Sequence, residues 1–379
     1  MTVARQGPPP RDEPAVQQPT GIGLMMIVKD EAHVIERCLS TVRPFVDWWL
    51  VADTGSSDGT QQIVRDLMAG IPGELVERPW VSFGHNRQEV LDLARTSRHR
   101  SEGDYALWID ADEQLRDVPE ELPPLHHDGY YLQVAYAGIS YARLALVRLD
   151  RPWRWESPVH EYLALDDADT GGLDAPGVLV THDGARAGDP QTYRKDAGLL
   201  EAALREDPDN PRLQFYLGQS WKDAGEPEQA LAAYAVRIAN PRGWEQERYV
   251  ALFNTARIHE GSGRPAAEVA EAYLAAHHAC PWRAEPLVEL ARLERQRERF
   301  AVALLYARPA TALPRPGGES LFTDVSAYTW RAWDELAVSS YWTGRYADGV
   351  VAATKALEGL PGDERLQQNL AWCQEKLTG

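Results

Sequence analysis

Residues 51–60 read V-A-D-T-G-S-S-D-G-T, and the fold is decided where this apolar run meets its polar turn. Residues 47–52 (D-W-W-L-V-A) are apolar and short enough for a buried strand, while residues 54–60 crowd Gly, Ser and Asp into a turn. Upstream, residues 23–28 (G-L-M-M-I-V) form a second strand-like run, and residues 32–42 place Ile35 and Leu39 on one helical face. Downstream come a helix over 61–68, a short strand over 75–78, and a strand over 105–109 (Y-A-L-W-I) that ends directly on acidic residues. Strand alternating with helix, with turn signals between, predicts an α/β domain with a mainly parallel, Rossmann-like sheet. Ligands of such sheets sit at the carboxyl ends of the strands. Lys29-Asp30-Glu31, Asp53 and Asp110 all fall there.

From about Tyr193 onward the pattern becomes helical and repeats itself. Leu217-Gly218, Gly225, Ala230 and Tyr234 follow the spacing of a tetratricopeptide unit, with Arg237 in place of a small residue. Leu336-Ala337, Gly344, Tyr346 and Ala356 follow it again; Leu290-Ala291, Phe300, Ala303 and Ala307 look like a third copy, and Ala256 with Gly263 a degraded fourth. Equivalent small positions (218, 256, 291 and 337) are 38, 35 and 46 residues apart, against about 34 for the regular unit, so insertions are expected. Residues 313–324 (L-P-R-P-G-G-E-S-L-F-T-D) are the obvious one. Small residues are needed where two antiparallel helices approach, and Gly225 and Gly344 let the chain reverse between them. The expected organisation is a leader over 1–20, an α/β domain over 21–192 and an all-α, tetratricopeptide-like repeat domain over 193–379.

Composition narrows the function. With 39 Lys and Arg against 57 Asp and Glu, the formal net charge is −18, which disfavours nucleic acid and broad electrostatic attachment to membranes. Cys38, Cys280 and Cys373 have no paired spacing, so neither a disulfide framework nor a zinc site is expected. Residues 1–20 are Pro-rich and charged with no apolar run, so they read as a disordered leader rather than a signal peptide. No stretch is long and apolar enough to span a bilayer, and a cytoplasmic protein is expected.

The chemistry rests on three clusters: Lys29-Asp30-Glu31 with residues 53–60; Trp108-Ile109-Asp110-Ala111-Asp112-Glu113; and residues 153–162 (W-R-W-E-S-P-V-H-E-Y), followed by Thr181-His182-Asp183-Gly184. Two carboxylates two residues apart, where a buried strand emerges, can share a hard divalent cation and a hydroxylated ligand. Magnesium and manganese favour such oxygen donors and let substrate phosphates complete the shell. On its own, Asp-x-Asp reads first as a solvated acidic turn; the other clusters turn the reading to the metal.

Taken together, residues 28–31, the helix ending in Cys38-Leu39, and residues 51–60 resemble the opening of family 2 glycosyltransferases, which have the GT-A fold. Residues 108–113 resemble that family's metal-binding Asp-x-Asp, and the match runs from Gly21 to about Gly184. More loosely, the whole chain is similar to bacterial members with a C-terminal tetratricopeptide region, some of which glycosylate peptides. The resemblance implies that Asp53 bonds the nucleotide base, that Val28 and Glu31 line its pocket beside Asp30, and that Asp110 contacts the ribose and supports the metal. It implies further that Asp112 ligates the metal, that His182 completes the metal shell, and that Arg87 contacts the diphosphate. For Arg87 the plain alternative is a solvated helix residue.

The activity expected from the resemblance is inverting, Mn2+- or Mg2+-dependent transfer of a hexose from a nucleoside diphosphate sugar, a UDP-hexose foremost. The acceptor would be a peptide, glycan or natural product. The repeats would bind a peptide or protein, or else dimerise the enzyme. Inversion needs a base, and Glu161 and His160 are the candidates. Glu161 is favoured, lying 49 residues past Asp112 and 21 before His182, which is the family's order. The plain alternative is a structural ion pair between Glu161 and an arginine. A competing reading of the whole chain is a catalytically decayed scaffold, but decay would be expected to have cost some of Asp53, Asp110, Asp112 and the base.

Overall fold

The computed structural model describes residues 21–181, 183–184, 191–317 and 320–378. Its first half is built on one sheet. Strands β1 (Ile22–Val28), β2 (Trp48–Asp53), β3 (Gly73–Glu77) and β4 (Tyr105–Trp108) lie parallel in the order β3-β2-β1-β4, with helices α1 (Ile35–Val42), α2 (Thr60–Leu67) and α3 (Phe83–Arg95) in the connections. All of β1 is buried, and its residues divide by parity. Leu24, Met26 and Val28 join a core with Ile35 and Leu39 of α1 and Val64 of α2, whereas Met25 and Ile27 join another with Val90 and Leu91 of α3. A strand covered on both faces needs no polar side, which is why its sequence is an unbroken apolar run.

Beyond β4 the sheet becomes mixed. It continues through β7 (Ile139–Arg148), β6 (Gly129–Tyr136), β11 (Gly177–Val180) and β5 (Glu113–Arg116), with β10 (Thr170–Gly172) also paired to β6. Because β5 follows the Asp-x-Asp directly and runs antiparallel to β11, with Val180 opposite Glu113, the end of β11 returns to the acidic turn. The separate pair β8 (Arg154–Glu156) and β9 (Tyr162–Ala164) carries the segment with the candidate bases.

The second half is helical: α4 (Thr192–Glu206), then the pairs α5 (Pro211–Asp223) with α6 (Pro227–Ala239), α7 (Glu245–Gly261) with α8 (Ala266–Ala279), α9 (Glu285–Gln296) with α10 (Phe300–Ala312), and α11 (Ala332–Trp342) with α12 (Tyr346–Gly359), closed by α13 (Glu364–Thr378). Each pair contains one of the copies read from the sequence, so this is a tetratricopeptide-like array. A Cβ on Gly218 would stand 2.4 Å from the Tyr234 ring, which is why α5 and α6 need glycine at their contact. Gly225 and Gly344 have φ of 76° and 73° and reverse the chain within their pairs. Arg237, where a small residue was expected, is buried at the α6–α7 turn and donates to the carbonyls of Asn240 and Trp244.

The insertion at 313–324 is more than a loop. Its last two residues form β12 (Thr323–Asp324), which pairs antiparallel with Ser140 and Ile139 of β7. The helical half thus adds a strand to the sheet of the first half. Among the described residues no helix is long and apolar enough to cross a membrane.

Candidate active site

The ends of β1 and β2 are stitched together by the polar turn. Thr54 donates through its amide and its hydroxyl to the Val28 carbonyl (2.9 and 3.0 Å). Asp30, at φ 55°, donates its amide to Ser56 Oγ and accepts from the Ser57 amide (2.9 and 2.8 Å). The Glu31 amide donates to Thr60 Oγ1 and that of Ala32 to Asp58 (2.9 Å each). Asp53 is buried and accepts from the amides of Gly55 and Ser56 and from Gln61 Nε2 (3.1, 3.0 and 2.8 Å). Of the residues assigned to the base pocket, Val28 turns its side chain into the core, while Asp30, Glu31 and Asp53 hold the shape of the rim.

At the end of β4 the chain turns tightly, with the Asp110 amide donating to Glu113 Oε2 (3.0 Å) and the Glu113 amide to the Asp110 carbonyl (3.1 Å). Glu113 is fully buried and takes two bonds from Arg143 of β7 (2.7 and 2.6 Å). Burial pushes the Glu113 carboxyl up from its usual range, and the Arg143 guanidinium pulls the other way. The ion pair fixes the turn from below and leaves Asp110 and Asp112 at its rim. Thr181 donates to the Asp112 carbonyl (2.8 Å), and the Gly184 backbone lies against the Asp112 carboxylate, where an added Cβ would sit 3.1 Å from Oδ2. Asp183 is held by Arg37 (2.6 Å), whose hydrogen bonds keep its carboxyl well below the usual range. His182 lies outside the described residues.

The second and third clusters meet at Arg87. Its side chain is 13% exposed, so it is not a solvated helix residue. One Nη donates to Asp110 (3.1 Å), the other to Glu161 (3.0 Å), so Glu161 does form the arginine ion pair that is the plain alternative to its role as base. The guanidinium lies among the rings of Phe83, Trp108 and Trp155, with Cζ 5.6, 5.0 and 5.2 Å from their centroids. Desolvated cation–π contacts of this kind contribute about 1–2 kcal/mol each. Arg87 sits in the second turn of α3, which Ser82 caps by accepting from the His85 amide.

Glu161 follows a strained loop. Ser157 (φ 80°) and His160 (φ 51°) are both left-handed, a conformation costing a residue with a Cβ about 1 kcal/mol or more. Gly84 lies against the loop, where an added Cβ would make ordinary contact with the Ser157 carbonyl (3.4 Å) and Glu161 Cγ (3.7 Å). The two candidate bases face opposite ways. The Glu161 side chain is 5% exposed and turned to Arg87, whereas the His160 ring stacks on Tyr216 of α5 (4.2 Å, 17°). The structure therefore brings Asp110, Arg87 and Glu161 together with Asp112 close by. The aromatic cage and the Arg143–Glu113 support are new. Trp108 and Trp155 flank the motifs, but only the fold turns both onto one guanidinium.

Residues 24–174 match the family described as Glycosyl transferase family 2. A TPR repeat-containing protein of Synechococcus elongatus is 27% identical over 318 residues, covering 77% of this chain and 75% of the relative. An uncharacterized glycosyltransferase of Rickettsia bellii is 29% identical over 102 residues, 27% of this chain and 31% of that protein. Among solved structures, a tetratricopeptide repeat protein from Parabacteroides merdae aligns with 49% of this chain and 67% of its own at 17% identity, with a TM-score of 0.36. With its parallel sheet and the family match over residues 24–174, the first half of the chain carries a family 2 glycosyltransferase domain, which continues into a tetratricopeptide-type helical region.

Proposed function

We propose that this glycosyltransferase moves a hexose from a UDP-hexose, with inversion and with a divalent cation, to a hydroxyl or thiol of its acceptor. Helical-repeat arrays of this kind offer a concave surface to an extended partner, which favours a peptide over a glycan or small natural product as that acceptor. The observation that carries the reading is the single Arg87 guanidinium touching both Asp110 and Glu161. It puts a carboxylate base candidate across one charged group from the end of the Asp-x-Asp.

Asp110 and Asp112 offer hard oxygen donors, and Asp110 is one-third exposed, so the pair fits Mn2+ or Mg2+. Among the described residues no group of three or more His, Cys, Asp or Glu is placed to hold a metal. Asp112 would ligate it, Asp110 would support it and meet the ribose, and His182 is the proposed further ligand. When bound, the ion neutralises charge on the departing diphosphate. Arg87 is a second cation for that diphosphate, and Asp53 with the rim at 28–31 receives the base. As the acceptor atom bonds to the anomeric carbon, the bond to the diphosphate oxygen breaks, the diphosphate leaves with the electron pair, and Glu161 takes the acceptor proton. The direction of the side chains favours Glu161 over His160 as base, because His160 is turned to Tyr216.

The test is hydrolysis and binding across a panel of UDP- and GDP-sugars with manganese present. Asp112→Ala should abolish metal-dependent turnover while the domain stays folded. Glu161→Gln should keep donor affinity and lose turnover by roughly 100-fold or more. A His160→Ala variant showing that pattern beside an active Glu161→Gln would move the base to His160, and full turnover in excess chelator would remove the metal.

A further inference from the structure

We infer that Arg212 and Tyr216, on the first helix pair of the array, are positioning residues for the catalytic loop and hold residues 157–162 in the shape that presents Glu161. The inference rests on Glu161 being the base. Two left-handed residues with side chains, Ser157 and His160, bracket buried Val159. Such a backbone persists where its surroundings over-determine it, and much of what surrounds this one belongs to the array. Val159 packs on Leu200 of α4 and Leu213 of α5. The His160 ring lies flat on Tyr216. The Arg212 guanidinium reaches the His160 carbonyl (3.4 Å) and covers the rings of Tyr162 (4.2 Å) and Tyr216 (4.7 Å).

Arg212 is itself anchored. It pairs with Glu247 of α7 (3.2 Å), whose side chain is 3% exposed and which also lies 3.7 Å from Arg237. A continuous set of contacts therefore runs from α7 through Arg212 to the loop, and from Glu161 through Arg87 to Asp110. Because His160 faces the array and Glu161 faces Arg87, releasing the His160 ring frees the peptide that aims Glu161. A displacement near 1 Å at a reacting group can cost on the order of 100-fold in rate.

The test uses the full chain, UDP-glucose with manganese, and water as acceptor. Tyr216→Leu and Arg212→Gln should each lower turnover roughly 10-fold or more with UDP-glucose affinity unchanged, while Tyr216→Phe, which keeps the ring, should retain it. Placed on Glu161→Gln, the Tyr216→Leu change should cost nothing further, since both act through one group. Amide exchange, which needs no donor, should quicken at 159–163 in Tyr216→Leu and Arg212→Gln and stay unchanged in β1 to β4. Unchanged exchange at 159–163, or an equal loss of turnover with and without Glu161, overturns the positioning role. Should Glu161→Gln be inactive while Tyr216→Leu and Arg212→Gln keep full turnover, positioning alone fails. Should Glu161→Gln turn over like the parent, the base reading fails and positioning falls with it.

Discussion

Arg87 is the residue on which the site is centred, and its chemistry cannot be reproduced by another cation. A guanidinium presents its donors in a planar fork and stacks on aromatic faces, so one side chain can bridge Asp110 and Glu161 inside a cage of three rings. An ammonium reaches one carboxylate at a time. Arg87→Lys should therefore lower stability by about 2 kcal/mol, from one charge-assisted bond and weakened ring contacts. Arg87→Ala should cost more, about 3 kcal/mol or above, because it removes the whole ion pair with Glu161, whose side chain is 5% exposed. Denaturant unfolding of Arg87→Ala alone and with Glu161→Gln checks the cause. If the lost ion pair is responsible, the double variant is more stable than Arg87→Ala; if it is equally unstable or less stable, the cost lies in the cage.

At the level of elements, what could be read from the sequence follows burial. The buried strands β1, β2 and β4 and the helices between them are apolar runs with turn residues at their ends, and the repeat helices declare themselves through the small residues at their contacts. The acidic ends of β1, β2 and β4 could be seen in the sequence, but not that Asp30, Asp53 and Glu113 would spend their carboxylates on the amides and the arginine that shape those turns. The hairpin β6–β7 carries a signal too, Ala137-Gly138 between two runs rich in Tyr, Val and Leu, with both turn residues at positive φ (45° and 83°). Nothing in those runs says that Arg143 will brace the acidic turn, because that pairing spans 30 residues. Strand β12 has two residues and no period to find; its position is set by distant groups. Arg283, 1% exposed, donates to Glu285, Gln246 and the Leu321 carbonyl (2.7, 2.9 and 3.0 Å), and Phe322 then meets Tyr141 of β7 edge-on. Arg283→Met should destabilise the chain by about 3–5 kcal/mol by leaving buried Glu285 without its cation. It should also quicken amide exchange in residues 320–325 and at the hairpin turn 137–140. Protection there equal to the parent's would mean that the strand docks without Arg283.

At the scale of the whole molecule, the described residues of the catalytic half and of the array meet at the loop of residues 157–162 and at β12. Helices α4 and α5 cover Val159 and hold the loop of Glu161, and β12 pairs with the part of β7 that β4 does not reach. A cut near Asp189 removes both. It uncovers Val159, takes away Leu200, Leu213 and Tyr216, and leaves the backbone of Ser140 and Ile139 facing water as an unpaired edge. Bared apolar surface and a free edge favour association between chains. The fragment should accordingly be poorly soluble, or soluble with a turnover on UDP-glucose well below that of the full chain. Its donor affinity should change less than its turnover, because the contacts at the ends of β1, β2 and β4 lie within the fragment while those that aim Glu161 do not. Expression of residues 1–189 beside the full chain, with solubility, UDP-glucose affinity and turnover measured separately, decides the matter. A soluble fragment that equals the full chain in both constants would show that the array neither completes the catalytic half nor positions Glu161.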